Sequence, residues 1–207
     1  LDYNYCYPRM EFDRQSMMWD LNYFKYYFLK LAQIPFDEQS LEEDFHVFCD
    51  FLLKAENQYF LYRDFQSRNI MLLDDEPYFI DYQGGRKGAL QYDIASLLYD
   101  AKADLRQDFR NKMFELYVSE VEKLIPIDRK EFEKHYYGFV LIRMMQAFGA
   151  YGFRGYYEKK THFLQIIPYA LANLEWILKN KQLPVKIPTL LAVLTSLTMS
   201  ERLRAYA

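Results

Sequence analysis

The sequence predicts an α+β chain that is mostly helical, with a small strand-bearing insert that carries the chemistry. Three observations support this class. Apolar residues recur at three- and four-residue steps before Gln58 and again after Asp93, the spacing of a helix with one buried face. Between those stretches lie short apolar runs of strand length, bounded by turn formers. The 207 residues are 51% hydrophobic and 19% aromatic, enough for one domain with a sizeable core and too apolar for disorder.

Residues 1–11 are aromatic but aperiodic and read as a linker that packs on a neighbour. Asp13 is placed to cap a first helix, with Trp19, Tyr23, Phe24, Tyr27, Phe28 and Leu31 as its inner stripe. Pro35 ends that helix, and Asp37 opens a second with Leu41, Phe45, Phe48, Phe51 and Leu52 inside. Residues 59–62, 70–73 and 78–80 suit strands, and Asp74-Asp75-Glu76-Pro77 makes the turn between the last two. Helical periodicity returns near Asp93 and runs on, interrupted at 124–126, 149–155 and 183–184. Residues 183–207 are expected to hold a C-terminal helix, which can lead into a further domain.

Composition narrows the function. The formal net charge is −3, with no basic field of the kind that binds nucleic acid. Cys6 and Cys49 lack CxxC spacing, so reduced thiols in a cytoplasmic protein are expected. His46, His135 and His162 are too scattered for a zinc motif. No apolar run approaches the roughly 20 residues that span a bilayer, so no membrane partner is indicated. The chain opens on Leu1 and not on Met, so a longer parent protein is expected.

The acidic and polar residues of the insert form a pattern. Asp64 and Asn69 lie five apart in a loop between two strand-like runs, and Asp81 follows the next apolar run directly. A loop between paired strands would hold all three close together. Phosphoryl transfer asks for this inventory: a carboxylate near the attacking hydroxyl and oxygen ligands for magnesium on the nucleotide phosphates.

The motifs also resemble a family. Tyr62-Arg63-Asp64-Phe65-Gln66-Ser67-Arg68-Asn69 is similar to the H-R-D-x-x-x-x-N catalytic loop shared by protein kinases and aminoglycoside phosphotransferases. Ile80-Asp81-Tyr82-Gln83 stands where D-F-G stands in protein kinases, and residues 92–101 resemble the helix that follows. The loop, the I-D-Y-Q run and Y-D-I-A-S-L-L-Y-D-A together look like the bacterial kinases of N-acetylmuramate and N-acetylglucosamine in cell-wall recycling.

The resemblance implies that residues 12–182 form the C-terminal lobe of the protein-kinase-like (aminoglycoside phosphotransferase) fold. It implies a phosphotransferase using ATP and Mg2+ on a hydroxyl of a small molecule, an amino sugar being favoured. Asp64 would be the catalytic base, Asn69 and Asp81 the metal ligands. Met71 would floor the adenine pocket and Ile80 line it, and Asp93 would brace the catalytic loop from a helix N-terminus. Arg68, Gln83 and Arg154 are candidate substrate contacts.

Departures from the pattern matter too. Tyr62 replaces the usual His, and Gly84 follows Gln83 where an acidic residue is usual. No Gly precedes Gly84, so the N-terminal lobe with its phosphate-covering loop and lysine is expected upstream. Gly84-Gly85-Arg86-Lys87-Gly88 lacks the frame of a P-loop and reads as a flexible activation-type segment whose cations are available to substrate. The alternatives are an aminoglycoside, choline or homoserine kinase of the same superfamily, or a non-catalytic module that keeps the fold.

Overall fold

A computed structural model of the chain describes residues 2–7 and 9–206. Leu1 and Pro8 of the expected linker, and Ala207 of the C-terminal segment, lie outside the described residues. The architecture is mostly helical α+β, with eight α-helices and two small sheets among the described residues.

Helix α1 covers Arg14–Phe24 and α2 covers Glu38–Leu52. Their starts follow from side-chain capping. Asp13 accepts the Ser16 N–H at 2.9 Å and Asp37 accepts the Ser40 N–H at 2.8 Å, each satisfying a donor that the first turn leaves free. The buried face of α1 is Met17, Leu21 and Phe24, continued by Phe28. The expected stripe is therefore only half right: Trp19, Tyr27 and Leu31 are exposed. A π-helical turn at Lys25–Leu29 inserts a residue and rotates the face that follows it.

Strands β1 (Tyr59–Leu61), β2 (Ile70–Leu73), β3 (Glu76–Phe79) and β4 (Arg86–Gly88) form two antiparallel pairs. β2 pairs with β3 through a two-residue turn in which Asp74 and Asp75 both have positive φ, 50° and 63°. That backbone matches the twist of a tight hairpin, so the turn is shorter than the four residues expected. β1 pairs with β4, not with β2. The loop carrying Asp64 and Asn69 thus bridges two sheets and does not join paired strands. The 84–88 segment is built into the fold: Tyr82–Gly84 is a short 3-10 turn, and Lys87 of β4 donates its N–H to the Met10 carbonyl and accepts the Phe12 N–H. Arg86 is buried and donates to the Gly84 carbonyl at 2.9 Å, while Lys87 pairs with Glu11 at 2.8 Å. Neither cation is free for substrate.

Helices α3 (Gln91–Leu98), α4 (Gln107–Leu124), α5 (Arg129–Gly152), α6 (Ile167–Asn180), α7 (Pro188–Met199) and α8 (Glu201–Arg204) complete the chain. α5 is the central rod, packed against α1, α3 and α6. The expected interruption at 149–155 falls at its C-terminal end, after Gly152. α5 runs through Gly149 and Gly152 and ends in a π-helical turn at Phe153–Tyr157. The glycines are there for close approach: a Cβ on Gly152 would sit 1.9 Å from the Tyr27 carbonyl oxygen. α7 joins the same core through Leu190, Val193, Leu194 and Leu197, and Asp44 of α2 accepts the Leu190 N–H at 2.8 Å. No helix among the described residues is long and apolar enough to cross a membrane.

Candidate active site

The site is organised by the loop between β1 and β2. Arg63 holds a left-handed backbone, φ 82°, which a non-glycine residue keeps only when its surroundings enforce it. Two groups do so. Asp93, in the first turn of α3, accepts the Tyr62 N–H at 2.6 Å and the Arg63 N–H at 3.0 Å. The Arg63 guanidinium donates to Asp20 at 2.6 Å and to the Tyr92 hydroxyl, and lies over the rings of Phe12 and Tyr92 at 4.8 and 5.2 Å. Burial works against that guanidinium, but the Asp20 carboxylate beside it raises its pKa above the usual arginine value. Burial pushes the Asp93 carboxyl up to about 6, against the lowering effect of its two N–H donors and of Arg63 and Arg143.

With Arg63 pinned, Asp64 is presented at the loop's turn. Asn69 closes the loop, its amide nitrogen donating to the Asp64 carbonyl at 2.8 Å and approaching Asp81 Oδ2 at 3.5 Å. The hairpin delivers Asp81 to the same place, because Ile80 donates to the Asn69 carbonyl at 3.0 Å. Tyr62 donates its hydroxyl to the Ile80 carbonyl, and Phe65 packs between Tyr62 and Phe79. Asp81 itself is left-handed, φ 71°, and Gln83 donates to its Oδ1 at 2.6 Å. The structure therefore brings Asp64, Asn69, Asp81 and Gln83 together.

A metal ion fits this donor set. Asn69 commits its amide nitrogen to Asp64 and keeps Oδ1 as an oxygen donor, and Asp81 is an exposed carboxylate. One carboxylate, one amide oxygen, phosphates and water are a normal magnesium sphere. Among the described residues no group of three His, Cys, Asp or Glu forms a dedicated metal cage.

On the other side of Asp64 lies a cavity of about 110 Å³ between the loop, α3 and α5. Gln66, Arg68, Ser96, Asp100, Arg143, Gln146 and Tyr151 supply its polar wall. Arg68 lines it and has no ion-pair partner among the described residues. Arg154 does not line it and pairs with Glu158 at 2.9 Å. Met71 and Ile80 lie away from it, 46% and 43% exposed, on an apolar hairpin surface with Leu72, Leu73, Tyr78, Phe79 and Tyr82.

Sequence reasoning missed Arg143. It is buried in α5 and its Nη2 lies 3.9 Å from Asp64 Oδ1. The available signal was a lone cation inside the apolar run Val140-Leu141-Ile142-Arg143-Met144-Met145. Asp100 was also missed as a brace: it accepts the Ser67 N–H at 3.2 Å and hydroxyl at 2.6 Å, and the Lys102 N–H at 3.1 Å.

The N-acetylmuramate/N-acetylglucosamine kinase of Neisseria meningitidis serogroup B (strain ATCC BAA-335 / MC58) is 30% identical over 105 residues, covering 48% of this chain and 30% of the relative's length. The model of the Phosphotransferase enzyme family (APH) matches residues 7–124, more than half of the chain, and the chain belongs to that family.

Proposed function

We propose that this chain is the C-terminal lobe of a cytoplasmic kinase that moves a phosphoryl group from ATP to a hydroxyl of an amino sugar. The observation that carries the proposal is the position of Asp64. It stands between the polar-walled cavity on one side and the Asn69–Asp81 pair on the other.

Asn69 and Asp81 would hold Mg2+ on the nucleotide, and the bound magnesium nucleotide supplies the phosphoryl group. Asp64 orients the acceptor hydroxyl and takes its proton as the new bond forms. Asp93, Arg63 and Asn69 keep the loop in the conformation that aims Asp64. Met71 and Ile80 present an apolar surface of the kind an adenine ring covers. The exposed hairpin also suits an N-terminal lobe packed over it, which would bring the phosphate-covering loop and lysine. The 207-residue chain alone is then expected to show no ATP turnover.

The cavity wall favours a neutral or anionic acceptor over a polycation. Arg68 and Arg143 face it, while Asp100 spends both oxygens on Ser67 and Lys102. An aminoglycoside or choline would meet two cations, and of the two carboxylates in that lining Asp64 already accepts the Gln66 side-chain N–H at 3.3 Å. The test is a turnover assay of the full-length protein with ATP and Mg2+ against N-acetylmuramate, N-acetylglucosamine, an aminoglycoside, choline and homoserine. Phosphorylation of the amino sugars is expected. Turnover of the cationic acceptors alone would overturn the amino-sugar assignment, and no turnover with any acceptor would favour a non-catalytic module.

A further inference from the structure

The guanidinium of Arg143 is arranged in a way that an ordinary buried ion pair is not. Its neighbours along α5, from Phe139 through Met145, are all buried, and Arg143 is itself 8% exposed. Removing a cation from water is unfavourable unless its donors are met. Here two of its three nitrogens are met by the scaffold. Nε donates to Ser96 Oγ at 2.9 Å, and Nη1 donates to Gln146 Oε1. The third, Nη2, makes no hydrogen bond among the described residues and faces Asp64 Oδ1 across 3.9 Å.

That gap is too long for a hydrogen bond and suited to one bridging oxygen. An N–H···O contact of about 2.9 Å and an O–H···O contact of about 2.7 Å together exceed the 3.9 Å span. A hydroxyl oxygen bonded to both groups therefore forms a triangle with them. Arg143 and Asp64 line one cavity, so there is space on their shared side for that oxygen. Ser96 and Gln146 hold the guanidinium back and stop the pair from collapsing into a direct salt bridge.

We propose that Arg143 is a further catalytic residue, whose Nη2 donates to the acceptor hydroxyl oxygen while that hydroxyl donates to Asp64. This rests on the phosphotransferase reading of the site. In the transfer step the acceptor O–H bond breaks and its proton passes to the Asp64 carboxylate. A lone pair of the same oxygen forms the new O–P bond. The P–O bond to the departing nucleoside diphosphate breaks, and its electron pair leaves with the diphosphate. Negative charge grows on the acceptor oxygen as its proton departs, beside a fixed cation that need not reorganise. The contact strengthens toward the transition state, so its loss should lower kcat more than it weakens acceptor binding.

The test uses the full-length protein with ATP, Mg2+ and N-acetylglucosamine or N-acetylmuramate. Arg143→Met and Arg143→Lys are expected to lower kcat by about 100-fold or more. Nucleotide affinity should stay within about threefold, because Arg143 makes its hydrogen bonds to Ser96 and Gln146 and none to Asn69 or Asp81. Calorimetric titration of the acceptor without nucleotide should show a smaller loss, about tenfold. Added guanidinium ion should partly restore an Arg143→Ala variant. If the buried substitutions prevent folding, Ser96→Ala and Gln146→Leu release the guanidinium without removing it, and each should lower kcat about tenfold at a nearly unchanged melting temperature. Folded Arg143 variants with kcat within threefold of wild type overturn the inference alone. Wild-type protein without turnover on any acceptor overturns the phosphotransferase reading beneath it.

Discussion

The ion pair beneath the Asp64–Asn69 loop makes a quantitative prediction. Arg63 and Asp20 have side chains only 13% and 9% exposed, and their nearest N···O distance is 2.6 Å. Asp20 Oδ2 has no partner among the described residues, so the Arg63 cation is the main compensation for that buried carboxylate. Substituting Arg63→Met strands the carboxylate, and Asp20→Leu strands the guanidinium. Breaking a buried pair from one side costs about 3–5 kcal/mol. The double variant removes both charges, leaving mainly the Tyr92 hydroxyl without its Arg63 partner, a loss of about 1–2 kcal/mol. The account therefore expects the double variant to be no less stable than either single variant. With a urea slope of about 3 kcal/mol/M, each single substitution should lower the unfolding midpoint by about 1–2 M. Urea titrations followed by circular dichroism and tryptophan fluorescence read this directly. Single variants costing under about 1 kcal/mol, or a double variant whose cost equals their sum, would refute the reasoning.

Three further outcomes are expected. Because burial raises the Asp93 pKa to about 6, above its unfolded value near 3.9, the folded state binds more protons between those values; its contribution to stability, about 3 kcal/mol, is full below about pH 4 and is lost as pH rises through about 6. Urea midpoints at pH 4 and pH 7 should show that slope in the wild type and a shallower one in Asp93→Asn; equal slopes would remove Asp93 as its source. Gly152→Ala, whose Cβ would meet the Tyr27 carbonyl at 1.9 Å, should cost at least about 1–3 kcal/mol in thermal melts. Gly84→Ala should be nearly neutral in the same assay, since its nearest contact is Arg63 Cβ at an ordinary 3.5 Å.

What could be read from the sequence was local. Asp13 and Asp37 announce their helices because a capping carboxylate acts within three residues, and the β2–β3 hairpin is visible because its turn formers lie between two apolar runs. The candidate site loop was legible as a motif because Asp64, Asn69 and Asp81 keep fixed spacings along one short stretch. Elements fixed by distant partners were hidden. β4 reads Arg86-Lys87-Gly88, with no strand propensity, and forms because β1 and residues 10–12 lie beside it. Trp19, Tyr27 and Leu31 misled because a chain that is 19% aromatic places apolar residues all round its helices. Gly149 and Gly152 read as helix breakers, yet they let α5 approach the backbone of residues 23–28. Arg143 meets Asp64 from 79 positions away along the chain, a pairing that no spacing rule contains.

The most direct test of the central claim separates the base from the metal ligand. In the full-length protein, Asp64→Asn should leave ATP affinity intact and slow phosphoryl transfer by about 100- to 10,000-fold, because an amide cannot accept the hydroxyl proton. Asp81→Asn should weaken magnesium-dependent ATP binding and turnover together, because it removes the charged ligand. Measuring nucleotide affinity and turnover side by side for the two variants distinguishes these roles. The account predicts a loss of rate alone at Asp64 and a joint loss at Asp81. Full activity in Asp64→Asn on every accepted substrate would contradict it.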